Sequence, residues 1–392
     1  LPKGSFAGST PARFNVKLSP NKPASFKLTS DLKGAALAID SLGWRKGKKA
    51  KGKMTVTGRL STPMEVDNIS ITTNDLTAKG KIILNKDGSF NTAQFPTVKI
   101  GKWLSTSVSL TGQGSDAITS LKGGRLDLRR LEIGGAGSGK AGPLNINLDQ
   151  LRLTEDLSLT SFNAVIKRNG APSGTFHARV NKGARISGQI SRGEKGAKIT
   201  VTGKDAGAIL KSAGFFDNIK GGAMRLTLEP NGEKGVYVGR FEATNFHMKH
   251  SNSMAALLDG ISLVGLLQKL EKSGIQFSKG KGRFELRPEG VQLKEVSLVG
   301  VSMGISLKGW YASNTKTVDF DGVVTPLYAV NGAFERLAGK LFGRQKGEGV
   351  FSFVYTMKGP AAEPKVKVKP LSILTPGVFR QVFRQDIPPP PK

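Results

Sequence analysis

Met54-Thr55-Val56-Thr57-Gly58, Val108-Ser109-Leu110-Thr111-Gly112, Ile199-Thr200-Val201-Thr202-Gly203, Ile305-Ser306-Leu307-Lys308-Gly309 and Tyr355-Thr356-Met357-Lys358-Gly359 write one pentapeptide: apolar, Ser/Thr, apolar, Thr/Lys, Gly. A near-copy stands at Val296-Ser297-Leu298-Val299-Gly300. Alternation at period two puts the apolar side chains on one face of a sheet and the hydroxyls and lysines on the other. The closing glycine lets the chain turn at positive φ. The sequence therefore reads as one strand unit laid down many times. That pattern predicts a long apolar surface rather than a catalytic pocket.

The composition of the 392 residues fits this reading. Hydrophobic residues make up 38%, and 50 glycines serve the many turns. A round core of this length would need more large apolar side chains; an elongated sheet one or two layers thick needs fewer. Lys and Arg number 59 against 29 Asp and Glu, a net charge of +30. Such a balance favours anionic partners: nucleic acid, anionic lipid or lipopolysaccharide phosphates. The bases are spread along the chain, and the densest run, Arg45 to Lys53, reads as a solvated hairpin loop. The absence of cysteine excludes disulfides, thiolate catalysis and cysteine metal sites. The chain begins at Leu1 without a leader peptide and is expected to be a portion of a longer protein. Its longest apolar stretch, Met254 to Leu270, is interrupted by Asp259 and Gln268 and is too broken for a membrane span.

Short strands with turn signals such as Lys86-Asp87-Gly88-Ser89 fill the chain from its start, and residues 1–200 form a repetitive β segment. The Gly-rich run Gly134 to Gly139 lacks the Gly-Lys-Ser/Thr of a phosphate loop and reads as a hairpin loop. Residues 201–370 mix strands with helices. One is predicted at 204–214, capped by Asp205 and stopped by Gly214. A second covers 252–272, with an apolar face that includes Met254, Leu257 and Leu258. A third covers 327–342. Residues 371–392 hold an amphipathic tail helix from Pro376 to Arg384 and a polyproline end.

Chemistry is hard to find. His247 and His250 are the only close histidine pair, and in a strand they point to opposite faces. His177 reads as an exposed strand residue. No nucleophile elbow or zinc-protease motif occurs, and the carboxylates are scattered. Aromatic residues are 7% and no RNA-binding signature is present, which disfavours nucleic acid despite the charge.

From about Lys204 onward the sequence resembles the C-terminal region of the AsmA-like envelope proteins. The landmarks are Asp205-Ala206-Gly207-Ala208-Ile209-Leu210, Asn218-Ile219-Lys220-Gly221-Gly222, Gly274-Ile275-Gln276-Phe277 and Gly322-Val323-Val324-Thr325-Pro326-Leu327. Gly347-Glu348-Gly349-Val350-Phe351 and Pro370-Leu371-Ser372-Ile373-Leu374-Thr375-Pro376 follow in order. The resemblance implies a twisted, taco-like β groove in the periplasm, anchored in the inner membrane by an N-terminal helix that this chain lacks. It implies passage of phospholipid between inner and outer membranes, without an enzyme's chemistry or a cofactor.

The expectation is thus a mostly β protein, an elongated twisted groove of repeated antiparallel strands with a few short helices near the C-terminal end. Roughly 20–30 strands at 4.8 Å spacing would make a trough on the order of 100–140 Å long. The lining candidates are Met224, Leu226, Leu228, Ile305, Leu307, Val318, Phe320, Phe351, Phe353 and Tyr355, although the pattern leaves open which pleat face lines the trough. Phe379, Arg380, Phe383 and Arg384 are candidate contacts to a membrane or an envelope protein partner. Lysines at polar positions, such as Lys308 and Lys358, are expected to face solvent. The alternatives are an assembly or scaffold factor for outer-membrane proteins and a basic nucleic-acid-binding β protein.

Overall fold

All five pentapeptides become strand, and all five keep the expected parity. The computed structural model describes residues 6–39, 44–113, 116–130, 141–168, 171–215, 217–249, 251–260, 274–326 and 353–369. The helix expected at 327–342, the tail helix, the Gly-rich run 134–139, His250, Phe351, Phe379, Arg380, Phe383 and Arg384 lie outside these residues, as does the second helix beyond residue 260.

The chain divides into two compact units, Leu1–Arg185 and Ile186–Lys392. The boundary expected at residue 200 lies inside a strand. The first unit holds a small sheet of β1 (Phe6–Gly8), β4 (Ala35–Ile39) and β5 (Trp44–Lys46), in the order β1-β4-β5. Its main ladder is formed by β2 (Ala12–Ser19), β3 (Lys22–Ser30), β6 (Lys53–Arg59), β7 (Glu65–Thr72), β8 (Leu76–Leu84), β9 (Phe90–Ile100), β10 (Leu104–Thr111), β11 (Ile118–Asp127), β12 (Ala141–Arg152), β13 (Ser158–Arg168) and β14 (Ser173–Val180). The second unit continues with β15 (Arg185–Arg192), β16 (Ala197–Gly203), β17 (Ile219–Pro230), β18 (Tyr237–Met248), β19 (Ile275–Arg287), β20 (Gly290–Gly300), β21 (Met303–Ala312), β22 (Thr317–Pro326), β23 (Phe353–Pro360) and β24 (Lys365–Lys369). Within each unit these strands make a continuous, mostly antiparallel ladder. Among the described residues β2 pairs with β3 and β24 pairs with β23.

Each strand pairs antiparallel with the next in sequence along most of the ladder, as short hairpin turns require. Two steps depart from this: β3 pairs β6, passing over β4 and β5 of the small sheet, and β11 pairs β12 in parallel, with Leu121 opposite Ile146. The period-two pattern is the same for either direction, so the sequence could not show the parallel step.

Two short helices are described, both in the second unit. α1 (Ala206–Ser212) is capped by Asp205, whose Oδ1 accepts from the Ala208 N–H at 2.9 Å, and Gly214 follows it at φ 77°. α2 (Asn252–Gly260) buries Met254, Leu257 and Leu258. Neither is long and apolar enough to cross a membrane.

The closing glycines follow the sequence reading in part. Gly112, Gly309 and Gly359 take positive φ, at 90°, 137° and 111°, and of the five only Gly112 lies outside a strand. Gly58, Gly203, Gly309 and Gly359 are strand residues. At Gly58 the reason is steric, since a Cβ there would run into the Glu65 carbonyl oxygen and lie 2.8 Å from a Phe26 ring carbon. The glycine makes room for the neighbouring backbone and for a cross-strand aromatic ring.

Candidate functional site: an apolar sheet face

Register settles the pleat face. In the second unit a row across ten strands reads Gly188, Val201, Leu226, Phe241, Gly282, Val296, Leu307, Gly322, Tyr355 and Val368. The row beside it reads Ile190, Ile199, Leu228, Gly239, Phe284, Leu293, Gly309, Phe320, Met357 and Val366. On the other side run Gly203, Met224, Ala243, Gly280, Leu298, Ile305, Val324 and Phe353. Every position in these rows is apolar or glycine. The face is roughly 40 Å across at the usual strand spacing.

The lining candidates fall on this face. Met224, Leu226, Leu228, Leu307, Phe320 and Phe353 are half-buried and reach the surface. Val318 pairs with Tyr311 beside these rows and is 8% exposed. Ile305 and Tyr355 are buried instead, at 4% and 2%, in a cluster with Phe246, Ile275, Phe277, Met303 and Val324. The cover over this cluster is α2, which sets Met254, Leu257 and Leu258 into it, while Gly260 abuts Val368 of β24. Burial pushes the Tyr355 phenol far above its ordinary value, and its hydroxyl donates to the Ser306 carbonyl at 3.4 Å. The face is thus dry at the α2 end and half-open elsewhere.

The first unit repeats the arrangement. Its middle row reads Phe14, Leu28, Val56, Ile69 and Gly80, continues from the Phe95 ring beside Gly80, and runs on through Val108, Leu121, Ile146, Ala164 and Phe176. From Leu28 to Ile146 this row is half-buried. A second row, Leu76, Ile100, Leu104, Leu126, Leu151, Leu159 and Val180, is at most 8% exposed throughout. One border of the face is a dry keel and the middle is open.

Rings laid over glycines recur on both faces. A Cβ on Gly239 would meet the Phe284 ring at 2.1 Å, one on Gly282 the Phe241 ring at 2.4 Å, and one on Gly322 the Tyr355 ring at 2.4 Å. In the first unit Phe26 lies over Gly58, and Phe95 over Gly80 at 2.6 Å. A large side chain opposite a glycine lies flat, which keeps the lining shallow and even.

The opposite face is polar and basic. Arg283 meets Glu295 at 3.0 Å, and the exposed Lys358 meets Asp319 at 3.0 Å. Lys220 stands opposite His247 and against Lys249, whose side-chain hydrogen bond, and then its positive charge, hold the Lys220 ammonium below its ordinary value. Lys308 breaks the expectation of a solvated lysine: it is 3% exposed, because β21 is covered on both faces, with Ser306 and Trp310 also buried beside it. His177 lies exposed on β14. Among the described residues no group of three His, Cys, Asp or Glu side chains could hold a metal.

Compared with known proteins, the chain matches no family model, no curated protein and no solved structure.

Proposed function

We propose that this chain carries phospholipid along the apolar face of its sheet, as the lining of a periplasmic conduit between inner and outer membrane. One observation carries the reading. The register rows of the second unit are apolar or glycine at every position across up to ten strands, yet over most of their length they are only half-buried. A sheet face of this kind ordinarily packs under a second layer. Here α2 covers one end of it. An extended hydrocarbon chain supplies the missing layer, at about 0.8 kcal/mol per buried methylene. Because apolar residues or glycine repeat strand after strand, the gain is similar at each step, so the chain slides without a deep trap. The resemblance to AsmA-like proteins supports the same reading, and neither a cofactor nor a catalytic group is needed for it.

The experiment is native mass spectrometry of the chain purified in mild detergent, with extraction of bound lipid. Several phospholipids per chain are expected, and fewer after Leu226→Glu or Leu307→Glu. A lipid-free chain would favour a scaffold role, and bound nucleic acid would favour the basic face as the working surface.

A further inference from the structure

From β8 to β14 the polar face of the first unit carries cations and no acid in its register rows. One row runs from Thr77 through Lys99, Ser105, Arg125, Gln150 and Thr160 to Arg179. The next holds Ser107, Lys122, Asn147, Asn163 and His177, with Lys79 opposite Thr97 on the β8 side. A third runs from Lys81 through Gln94, Ser109, Ser120 and Asn145 to Val165 and Thr175. Bulges in the ladder keep the three rows on one face. Lys79, Lys81, Lys99, Lys122 and Arg125 are exposed and form no ion pair among the described residues. Two hollows of about 370 and 440 Å³ lie on this face. Lys99, Ser105 and Arg125 border the first, and Lys122, Asn145, Asn147 and Asn163 the second. The Asp149 carboxylate at the first hollow is engaged by the Gly124 N–H at 2.7 Å.

The second unit shows what this strand pattern does with a face that only meets water. There Glu242 stands between Arg225 and Lys281, Glu229 meets Lys198 at 2.9 Å and Glu295 meets Arg283 at 3.0 Å. In the first unit no carboxylate interleaves with these cations. Lys79 and Lys81 stand about 7 Å apart on one strand, at two residue rises. That is inside a Debye length of about 8–10 Å, so they repel unless an anion sits between them.

We infer that this face is a docking surface for an anionic polysaccharide, a sugar chain bearing acid groups. The lysines and Arg125 take the acid groups. The serines, threonines and asparagines between them both donate and accept, as sugar hydroxyls do. No Phe, Tyr or Trp stands in the three rows, so the face lacks the stacking platform that single-stranded nucleic acid uses. Val165 is their one apolar side chain, too little to enter a lipid surface. Seven strands at the usual spacing give a track roughly 30 Å wide, which suits an extended chain rather than a single small ion. The inference stands on the polar face and does not depend on lipid passage along the other.

The test is calorimetric titration of the full chain with oligogalacturonate, a carboxylated sugar chain, at fixed salt. The controls are its methyl ester, which masks the charge, and polyglutamate of equal length, which keeps the charge without the sugar hydroxyls. Oligogalacturonate is expected to bind about tenfold more tightly than either. Lys99→Glu combined with Arg125→Glu should weaken it about tenfold, and Lys122→Glu should weaken it too. Asn147→Leu with Asn163→Leu should weaken it several-fold at unchanged charge. Lys281→Glu, on the polar face of the second unit, should leave it unchanged. All of these side chains are exposed, and the comparison among probes on the wild-type chain stands even if a variant misfolds. Equal binding of polyglutamate, or an equal loss on Lys281→Glu, would reduce the effect to net charge and overturn the inference. Tighter binding of oligothymidylate would overturn it in favour of nucleic acid, and preferential binding to phosphatidylglycerol vesicles in favour of a membrane surface.

Discussion

Gly282 and Phe241 face each other across β18 and β19, and the glycine is the less replaceable of the two. Gly282→Ala forces the Phe241 ring and the Val296 methyls aside, at a cost of about 1–3 kcal/mol. Combined with Phe241→Ala, the same substitution should cost much less than the sum, and urea melts of the double-mutant cycle would show it. A second expectation concerns Asp127. The Arg129 guanidinium, 2.7 Å away, holds its carboxyl below the ordinary 3.8, so the pair stabilises above that pH and the contribution is lost as pH falls through the folded value. Asp127→Asn should therefore lower the melting temperature slightly at pH 7 and leave it unchanged at pH 2. At this scale the sequence was legible wherever alternation alone decides. Val56, Val108, Val201, Leu307 and Met357 all landed on the apolar face. It was illegible at Lys308 and Gly58, where burial depends on what crosses the strand rather than on what precedes it.

Among the elements, α2 has the most particular role. It is held by its apolar side. Leu258, fully buried, anchors it in the cluster around Phe277 and Met303. Leu258→Ala is expected to cost about 2–5 kcal/mol and to open the dry end of the face, measurable as new binding of a hydrophobic dye before global unfolding. α1 and α2 were both visible in the sequence because their signals are local, a cap at Asp205 and an apolar stripe from Met254. The parallel step from β11 to β12 was not, since strand direction leaves no mark on a period of two.

For the whole molecule, what matters is that two units present the same kind of face, each with a fully buried border and a half-open middle. If the half-open rows hold hydrocarbon, a charge in the middle row should disturb occupancy more than a charge on the basic face. Leu121→Glu is expected to reduce bound lipid several-fold while Lys281→Glu leaves it near the wild-type level, as read by lipid extraction from each purified variant. The repeat pattern made this architecture readable at the outset, because every copy of the pentapeptide votes for the same face.

The rings laid over glycines also have a magnetic consequence. A proton held above an aromatic ring is shielded by its circulating electrons. The Hα signals of Gly58, Gly80, Gly239, Gly282 and Gly322 should therefore stand upfield of other glycines in a proton–carbon spectrum. They are spread from β6 to β22, which makes them native reporters along both faces. An occupant of a face can reach the half-buried Phe95, Phe241 and Phe284, and each tilt would be written into the resonance of the glycine beneath.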